Sequence, residues 1–240
     1  MGYFIQVLSG LAHPRRVLLA VAAPAEFDAI AKPFSCAHNT SEGETVTLSD
    51  TLDLVLTGVG KSAAAATIGA ILAQHRHGLV LNLGIAGALP TTQPLDIPDL
   101  VIATAHHFAD EGVALPPACS EPFPFLSLHA MGFAPAATDG WGVPGDEGVV
   151  AALAAALPKA KRGVIATVST CSGRDDLARA VAARTGATVE AMEGAAIALA
   201  ARRAGVRYGE VRAVSNTTGD RDRQRWAIGP ALAALSDLFA

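Results

Sequence analysis

Val189-Glu190-Ala191-Met192-Glu193-Gly194-Ala195-Ala196 is followed by a helical run, an apolar strand and the string Arg212-Ala213-Val214-Ser215-Asn216. Arg221-Asp222-Arg223 and Trp226 come a few residues later. Glu193 is an acid in an otherwise small and apolar segment, and Ser215-Asn216 is a polar pair where the strand 211–214 runs out. In an α/β sheet, ligands bind beyond the carboxyl ends of the strands. Both features therefore point at the same kind of place. Glu193 also has a plainer reading, because the helix macrodipole favours an acid at a helix start by a few tenths to ~1 kcal/mol. The rest of the chain decides between the two.

Upstream, residues 17–23 form a continuous apolar run, the pattern of a strand buried on both faces. Pro24 ends it, and Glu26 stands at the start of a helix expected over 25–31, where it too can be read as a helix-start acid. Residues 36–50 are polar with weak alternation and suggest a hairpin or peripheral strand. Further strands are expected at 52–57, 79–83, 99–105, 163–168 and 187–190, with helices at 63–74, 149–157 and 175–184 among them. An amphipathic helix at 228–239 closes the chain. Residues 116–144, rich in Pro, Gly and aromatics, read as an irregular excursion of the kind that often covers a site. The alternation argues for an α/β domain with a mainly parallel sheet covered by helices. No repeat or linker interrupts it, so residues 17–240 are expected to be one domain, with 1–16 an extension ahead of the first strand.

The 240 residues are 51% hydrophobic and 17% charged, which implies a large buried interior. A net charge of −4 makes no electrostatic case for nucleic acid or an anionic membrane. Three scattered cysteines, Cys36, Cys119 and Cys171, do not form a disulfide framework and fit a reducing cytoplasm. The apolar N-terminus lacks a basic lead, since Arg15-Arg16 comes after it, the wrong order for a signal peptide. No apolar run reaches the ~18 residues that span a bilayer. A soluble protein is expected.

Gly58-Val59-Gly60-Lys61-Ser62 tempts a P-loop reading, but Val55 stands where a Walker A loop needs glycine. The stretch fits a dinucleotide fingerprint better, except that the acid expected about 20 positions on is missing. A tight strand-to-helix turn near a ligand is the better role. Gly84-Ile85-Ala86-Gly87 reads as a second glycine turn at a strand end, offering only backbone amides to an anion. His75-x-His77 is expected at a helix end next to Arg76, where a cation complements the dipole. His106-His107, with Asp110 and Glu111 nearby, does not have zinc-type spacing. Asp110, Glu111, Asp175 and Asp176 are read as solvated or capping acids, and there is no Gly-x-Ser-x-Gly elbow. No metal and no cofactor is expected.

Taken together, the early Glu26, the Gly58-x-Gly60 turn, Gly84-Ile85-Ala86-Gly87, Met192-Glu193 at a helix start and Arg212-Ala213-Val214-Ser215-Asn216 resemble the nucleoside phosphorylase and nucleosidase superfamily. The resemblance spans the chain from about residue 17 onward. It implies a three-layer α/β/α domain with a mixed, mainly parallel central sheet, and a homo-oligomer acting on a small-molecule nucleoside. The Arg221-Asp222-Arg223-x-x-Trp226 tail narrows it to purine-releasing hydrolases of N-glycosidic bonds. It implies that Glu26 orients and deprotonates water, that Glu193 accepts hydrogen bonds from ribose hydroxyls with Met192 packed on the sugar, and that Arg212 positions these acids. Ile85, Ala86 and Ser215 would line the substrate. Asn216 would hold the base: an amide can donate to a 6-oxo group and accept from N7–H, whereas relatives acting on 6-aminopurines carry Asp there. Arg221 or Arg223 would pair with a carboxylate on the substrate's tail; the plainer reading is a solvated turn with Trp226 in the core. The stretch 167–173 lacks the aromatic that stacks on the base in many relatives. The competing readings are a phosphate-dependent phosphorylase of 6-oxopurine nucleosides, a methylthioadenosine-type nucleosidase, which Asn216 opposes, and a non-catalytic nucleoside-binding protein.

Overall fold

The apolar runs of the sequence become strands with both faces covered. In the computed structural model, which describes residues 2–35, 40–91, 93–117, 123–133, 140 and 142–240, the chain runs α1 (Tyr3–Ala12), β1 (Arg16–Val21), α2 (Pro24–Ala31), β2 (Thr45–Thr47), β3 (Leu52–Leu56), α3 (Lys61–Leu72), β4 (His77–Ala88) and β5 (Leu100–Phe108). It continues through β6 (Gly112–Ala114), β7 (Phe125–Ser127), β8 (Gly142–Pro144), α4 (Glu147–Ala156), β9 (Lys161–Thr167) and α5 (Asp175–Thr185). It ends with β10 (Val189–Ala191), α6 (Gly194–Arg203), β11 (Arg207–Thr217) and α7 (Ile228–Ser236). Every residue of β1 after Arg16 is buried, as an unbroken apolar run requires, and so is every residue of β3, where the one acid, Asp53, is paired with Arg16 and His77.

The central sheet has nine strands in the order β10-β9-β5-β11-β4-β1-β3-β2, with β8 beside β5. The pairs β3–β1–β4–β11 and β5–β9–β10 are parallel, while β11–β5, β2–β3 and β5–β8 are antiparallel, so the sheet is mixed and mainly parallel. β10 also pairs with β4, Glu190 opposite Gly87, which closes β4, β11, β5, β9 and β10 into a ring. Helices α1, α2, α4 and α7 cover one face through a core that includes Leu8, Ile30, Leu153 and Leu235. α3 and α6 cover the other through Ile68, Leu72, Ile197 and Ala201. The architecture is the expected three-layer α/β/α domain.

Three local expectations are corrected. Gly84-Ile85-Ala86-Gly87 is no turn: β4 runs through it to Ala88, because β11 stays in register with it as far as Thr217. Likewise Ser215-Asn216 lies inside β11, at a register shift between Val214 and Asn216. His77 opens β4, buried, with Nε2 2.9 Å from Asp53, and does not sit at a helix end. The segment ahead of the first strand carries α1, whose Phe4, Ile5, Leu8 and Ala12 join the same core as the sheet, with Phe4 edge-on to Phe239. Cys36, Cys119 and much of the 116–144 excursion lie outside the described residues.

Candidate active site

A cavity of about 380 Å³ opens where β1, β4, β10 and β11 end and α2, α6 and α7 begin. Its wall includes Glu26, Ile85, Ala86, Met192, Glu193, Arg212, Ser215 and Asn216. All of these stand out in the sequence, and the fold brings them together from positions up to 190 residues apart. The excursion 116–144 contributes none of the cavity's described lining residues.

The two suspected helix-start acids behave differently. Glu26 does serve its helix: Oε2 accepts the N–H groups of Ala22 and Ala23, both at 3.0 Å. Its other oxygen, Oε1, crosses to β4 and accepts the Ile85 N–H at 2.8 Å. Glu193 precedes α6 but makes no cap bond to it. Instead Oε1 accepts the Gly60 N–H at 3.1 Å and Oε2 accepts Arg212 Nη2 at 3.1 Å. The Gly58-to-Gly60 stretch is thus the tight strand-to-helix turn the sequence suggested, with Val59 at the cavity wall, and Gly60 at φ +95° holds a conformation that glycine alone adopts freely.

Between the two acids stands Arg212, fully buried. Nε donates to Glu210 at 2.8 Å and Nη2 to Glu193, while Nη1 reaches the Ile85 carbonyl at 3.4 Å. Gly84 makes room for this: a Cβ there would collide with Arg212 Nη1 and stand 2.6 Å from Glu26 Oε1. Behind Arg212, Glu210 also accepts from Asn82 (3.1 Å) and Tyr208 (3.3 Å) and lies 2.7 Å from His106 Nδ1. Burial would push Glu210 up, but Arg212 and His106 hold its carboxyl down at about 2. Burial outweighs everything at Glu26, whose carboxyl is raised despite Arg212 and the Ile85 N–H. The site therefore sets a carboxyl held well below the usual glutamate range beside one whose affinity for a proton is raised.

At the far wall, Ser215 Oγ lies 2.8 Å from Asn216 Oδ1 and 3.3 Å from the Ala86 carbonyl. Asn216 Nδ2 donates to the Thr217 carbonyl at 2.9 Å. One N–H and one lone pair of the amide remain for a ligand. Trp226 bridges to Asn216 and lines the cavity while 45% exposed, so it is a wall residue and no part of the core. Arg221 stacks on Trp226 with Cζ 4.6 Å from the ring centroid. It lines a smaller adjoining cavity of about 230 Å³ that shares Gly87, Cys171, Glu190, Asn216 and Trp226 with the larger one. Arg223 lies on the surface, paired with Asp175 at 2.7 Å and with Asp220, and lines neither cavity.

Sequence reasoning missed Glu210 and the roles of His106, Asn82 and Glu190. Glu210 had a usable signal: residues i and i+2 of a strand share a face, so the acid two before Arg212 was bound to lie beside it. His106, considered with metal in mind, is instead a partner of Glu210; no metal-ligating cluster occurs among the described residues. Lys61 of the glycine turn pairs with Asp110 at 2.5 Å and Glu111 at 3.2 Å, so these acids are ion-paired.

The chain belongs to the phosphorylase superfamily, whose model matches residues 16–235, and it is an enzyme of that class acting on N-glycosidic bonds. Within it the chain falls among the futalosine hydrolases. It is 40% identical over 229 residues to the futalosine hydrolase of Acidothermus cellulolyticus (93% of this chain, 88% of that one). It is 36% identical over 234 residues to that of Streptomyces coelicolor (92% of each). Among solved structures it is similar to a futalosine hydrolase mutant of Helicobacter pylori strain 26695, with a TM-score of 0.74 at 18% identity over 93% of this chain and 96% of that one. It is also similar to the 5'-methylthioadenosine/S-adenosylhomocysteine nucleosidase of Neisseria meningitidis, with a TM-score of 0.72 at 20% identity over 94% and 96%. At those identities the structures speak for the fold alone.

Proposed function

We propose that this enzyme hydrolyses the N-glycosidic bond of futalosine, releasing hypoxanthine and dehypoxanthine futalosine in menaquinone biosynthesis. The balance of charge in the cavity is the observation that carries hydrolysis over phosphorolysis. Three carboxylates, Glu26, Glu190 and Glu193, face it against one guanidinium, and Arg212 is already committed to Glu193 and Glu210. Among the described lining residues no cation is left for a phosphate dianion, which needs charged and usually bidentate donors. Water needs only an acceptor, and Glu26 is one.

Glycosidic cleavage leaves an oxocarbenium-like sugar and a purine anion. In this reading Glu26 binds the attacking water at the anomeric carbon and takes its proton. Its raised affinity for a proton suits a base working near neutrality. Glu193 accepts hydrogen bonds from the ribose hydroxyls, Met192 packs against the sugar, and Arg212 fixes both acids. Ile85, Ala86 and Ser215 shape the floor. The free N–H of the Asn216 amide donates to O6 of the leaving base, and its free lone pair accepts N7–H as that nitrogen gains its proton. Arg221, the one arginine of its pair near the cavity, meets the carboxylate of the substrate's tail. We also propose a cytoplasmic homo-oligomer, to be measured by sedimentation at assay concentrations; a monomer with full activity would remove that part. No described helix is long and apolar enough to cross a membrane.

The test is chromatographic release of hypoxanthine from futalosine and from inosine, each with and without phosphate. Release from futalosine that ignores phosphate is expected, with Asn216→Ala losing ~10²–10³ in rate. Release from inosine that requires phosphate would make the enzyme a phosphorylase.

A further inference from the structure

One buried carboxylate in the cavity is left without work by this chemistry. Glu190, on β10, is 4% exposed and lines both the main cavity and the adjoining one. Its Oε1 accepts the Ser172 N–H and its Oε2 the Ser172 hydroxyl, both at 2.7 Å. No cation is among its hydrogen-bond or ion-pair partners in the described residues. Burying a carboxylate without a counter-ion is unfavourable by several kcal/mol unless hydrogen bonds satisfy it, and burial indeed pushes Glu190 up while Ser172 pulls it back. Apolar residues would fill the position at lower cost. Each carboxylate oxygen keeps a further lone pair after the Ser172 bonds, so Glu190 presents unused acceptors at a cavity wall.

The position of that wall says what they would accept. Glu190 lies opposite Gly87 in the β10–β4 pair. Gly87 in turn lies against the amide of Asn216: a Cβ on it would stand 3.1 Å from Asn216 Nδ2. Glu190 and Asn216 therefore flank the same glycine, at the end of the cavity where the base belongs. A 6-oxopurine carries a hydrogen on N1, next to its C6 carbonyl; a 6-aminopurine carries a lone pair there. An amide can serve the carbonyl and N7 side of the ring, and an acceptor beside it serves N1–H. The same acceptor repels a bare N1 lone pair.

We propose that Glu190, held in place by Ser172, accepts the N1–H of the leaving 6-oxopurine and, with Asn216, selects it over a 6-aminopurine. Glu190 is then a specificity residue and Ser172 a positioning residue. The proposal deepens the reading above and rests on it for the identity of the base. It is tested on wild type, Glu190→Gln and Ser172→Ala by measuring hypoxanthine release from futalosine, and inhibition by hypoxanthine, 1-methylhypoxanthine and adenine. Wild type should bind hypoxanthine roughly 10- to 100-fold more tightly than either other base, the scale of a hydrogen bond to a charged group. Glu190→Gln, which keeps the shape but offers N1 a donor as well, should lose most of that preference. Ser172→Ala should lose part of it in the same direction. A hypoxanthine-to-adenine ratio unchanged in both variants would overturn the proposal even if futalosine is turned over. A wild type that releases no base from futalosine, yet prefers hypoxanthine through Glu190, would overturn the substrate and leave the base assignment standing.

Discussion

Glu26 combines two jobs that pull its proton affinity in opposite directions. Three backbone N–H groups and Arg212 favour the carboxylate, yet burial prevails and the carboxyl titrates above its ordinary value of 4.5. A base must be ionised to work, so the rate should rise with pH through that raised value. The acid limb of kcat/KM for wild type is expected above pH 4.5, the ordinary midpoint of a glutamate. Glu26→Gln should lower kcat by ~10²–10⁴ and erase that limb from the residual rate, with the circular dichroism spectrum unchanged. A limb that survives the substitution would assign it to another group. At this scale the sequence was informative where chemistry and position coincide. An acid amid small apolar residues at a strand-to-helix junction, such as Glu193, points to a ligand once its helix does without it as a cap. It was uninformative about Glu190, because an acid inside a strand looks the same whether it faces solvent or a buried wall, and Glu210 could be placed only through Arg212, two residues further along the same strand.

β4 is the element on which the site is built, and its glycines account for the misreading of its end. Glycine usually marks where a strand stops, but here Gly84 is required by what crosses it: Arg212 Nη1 and Glu26 Oε1 occupy the space a side chain would take. β4 keeps going because β11, about 130 residues later in the chain, supplies a parallel ladder as far as Ala88. Local pattern located the start of each strand it predicted within a few residues, though it read β8 as part of an irregular excursion. The ends depended on partners distant in sequence, which no local pattern records. Gly84→Ala follows as a test at the element scale. The methyl must displace the arginine or the glutamate, since Gly84 is held in the β11 ladder opposite Arg212 and β4 is also tied to β1 as far as Asn82, two residues before it. The expected result is a fall in kcat of at least ~10²-fold, in line with a displacement of about 1 Å at a catalytic group, alongside a lower melting temperature. A variant that melts lower but turns over at the wild-type rate would show that Arg212 and Glu26 can give way without consequence.

Across the whole molecule a mainly parallel sheet covered by helices followed from the alternation of apolar strands and helices, and its three layers from the family resemblance, whereas the closed ring followed from neither. Closure depends on β10 bridging β9 and β4: a short strand was expected at 187–190, but nothing local shows which strands it pairs with. Within the ring Glu210 joins Asn82 of β4, His106 of β5 and Tyr208 and Arg212 of β11. This one carboxylate couples three strands to the site and makes the stability of the fold depend on pH. Its folded-state carboxyl is held at about 2 against 4.5 for an unperturbed glutamate. A lowered carboxyl stabilises the folded state fully above the unfolded value, and that contribution disappears as pH falls from 4.5 towards 2. Wild type should therefore lose stability over that interval in urea titrations. Glu210→Gln keeps the shape but leaves Arg212 short of a charge, which should cost ~3–5 kcal/mol at pH 7. Having no proton to bind, the variant should also show a shallower decline between pH 4.5 and 2. Parallel declines for the two proteins would mean that other carboxylates carry the acid sensitivity and that Glu210 only fills space in the ring.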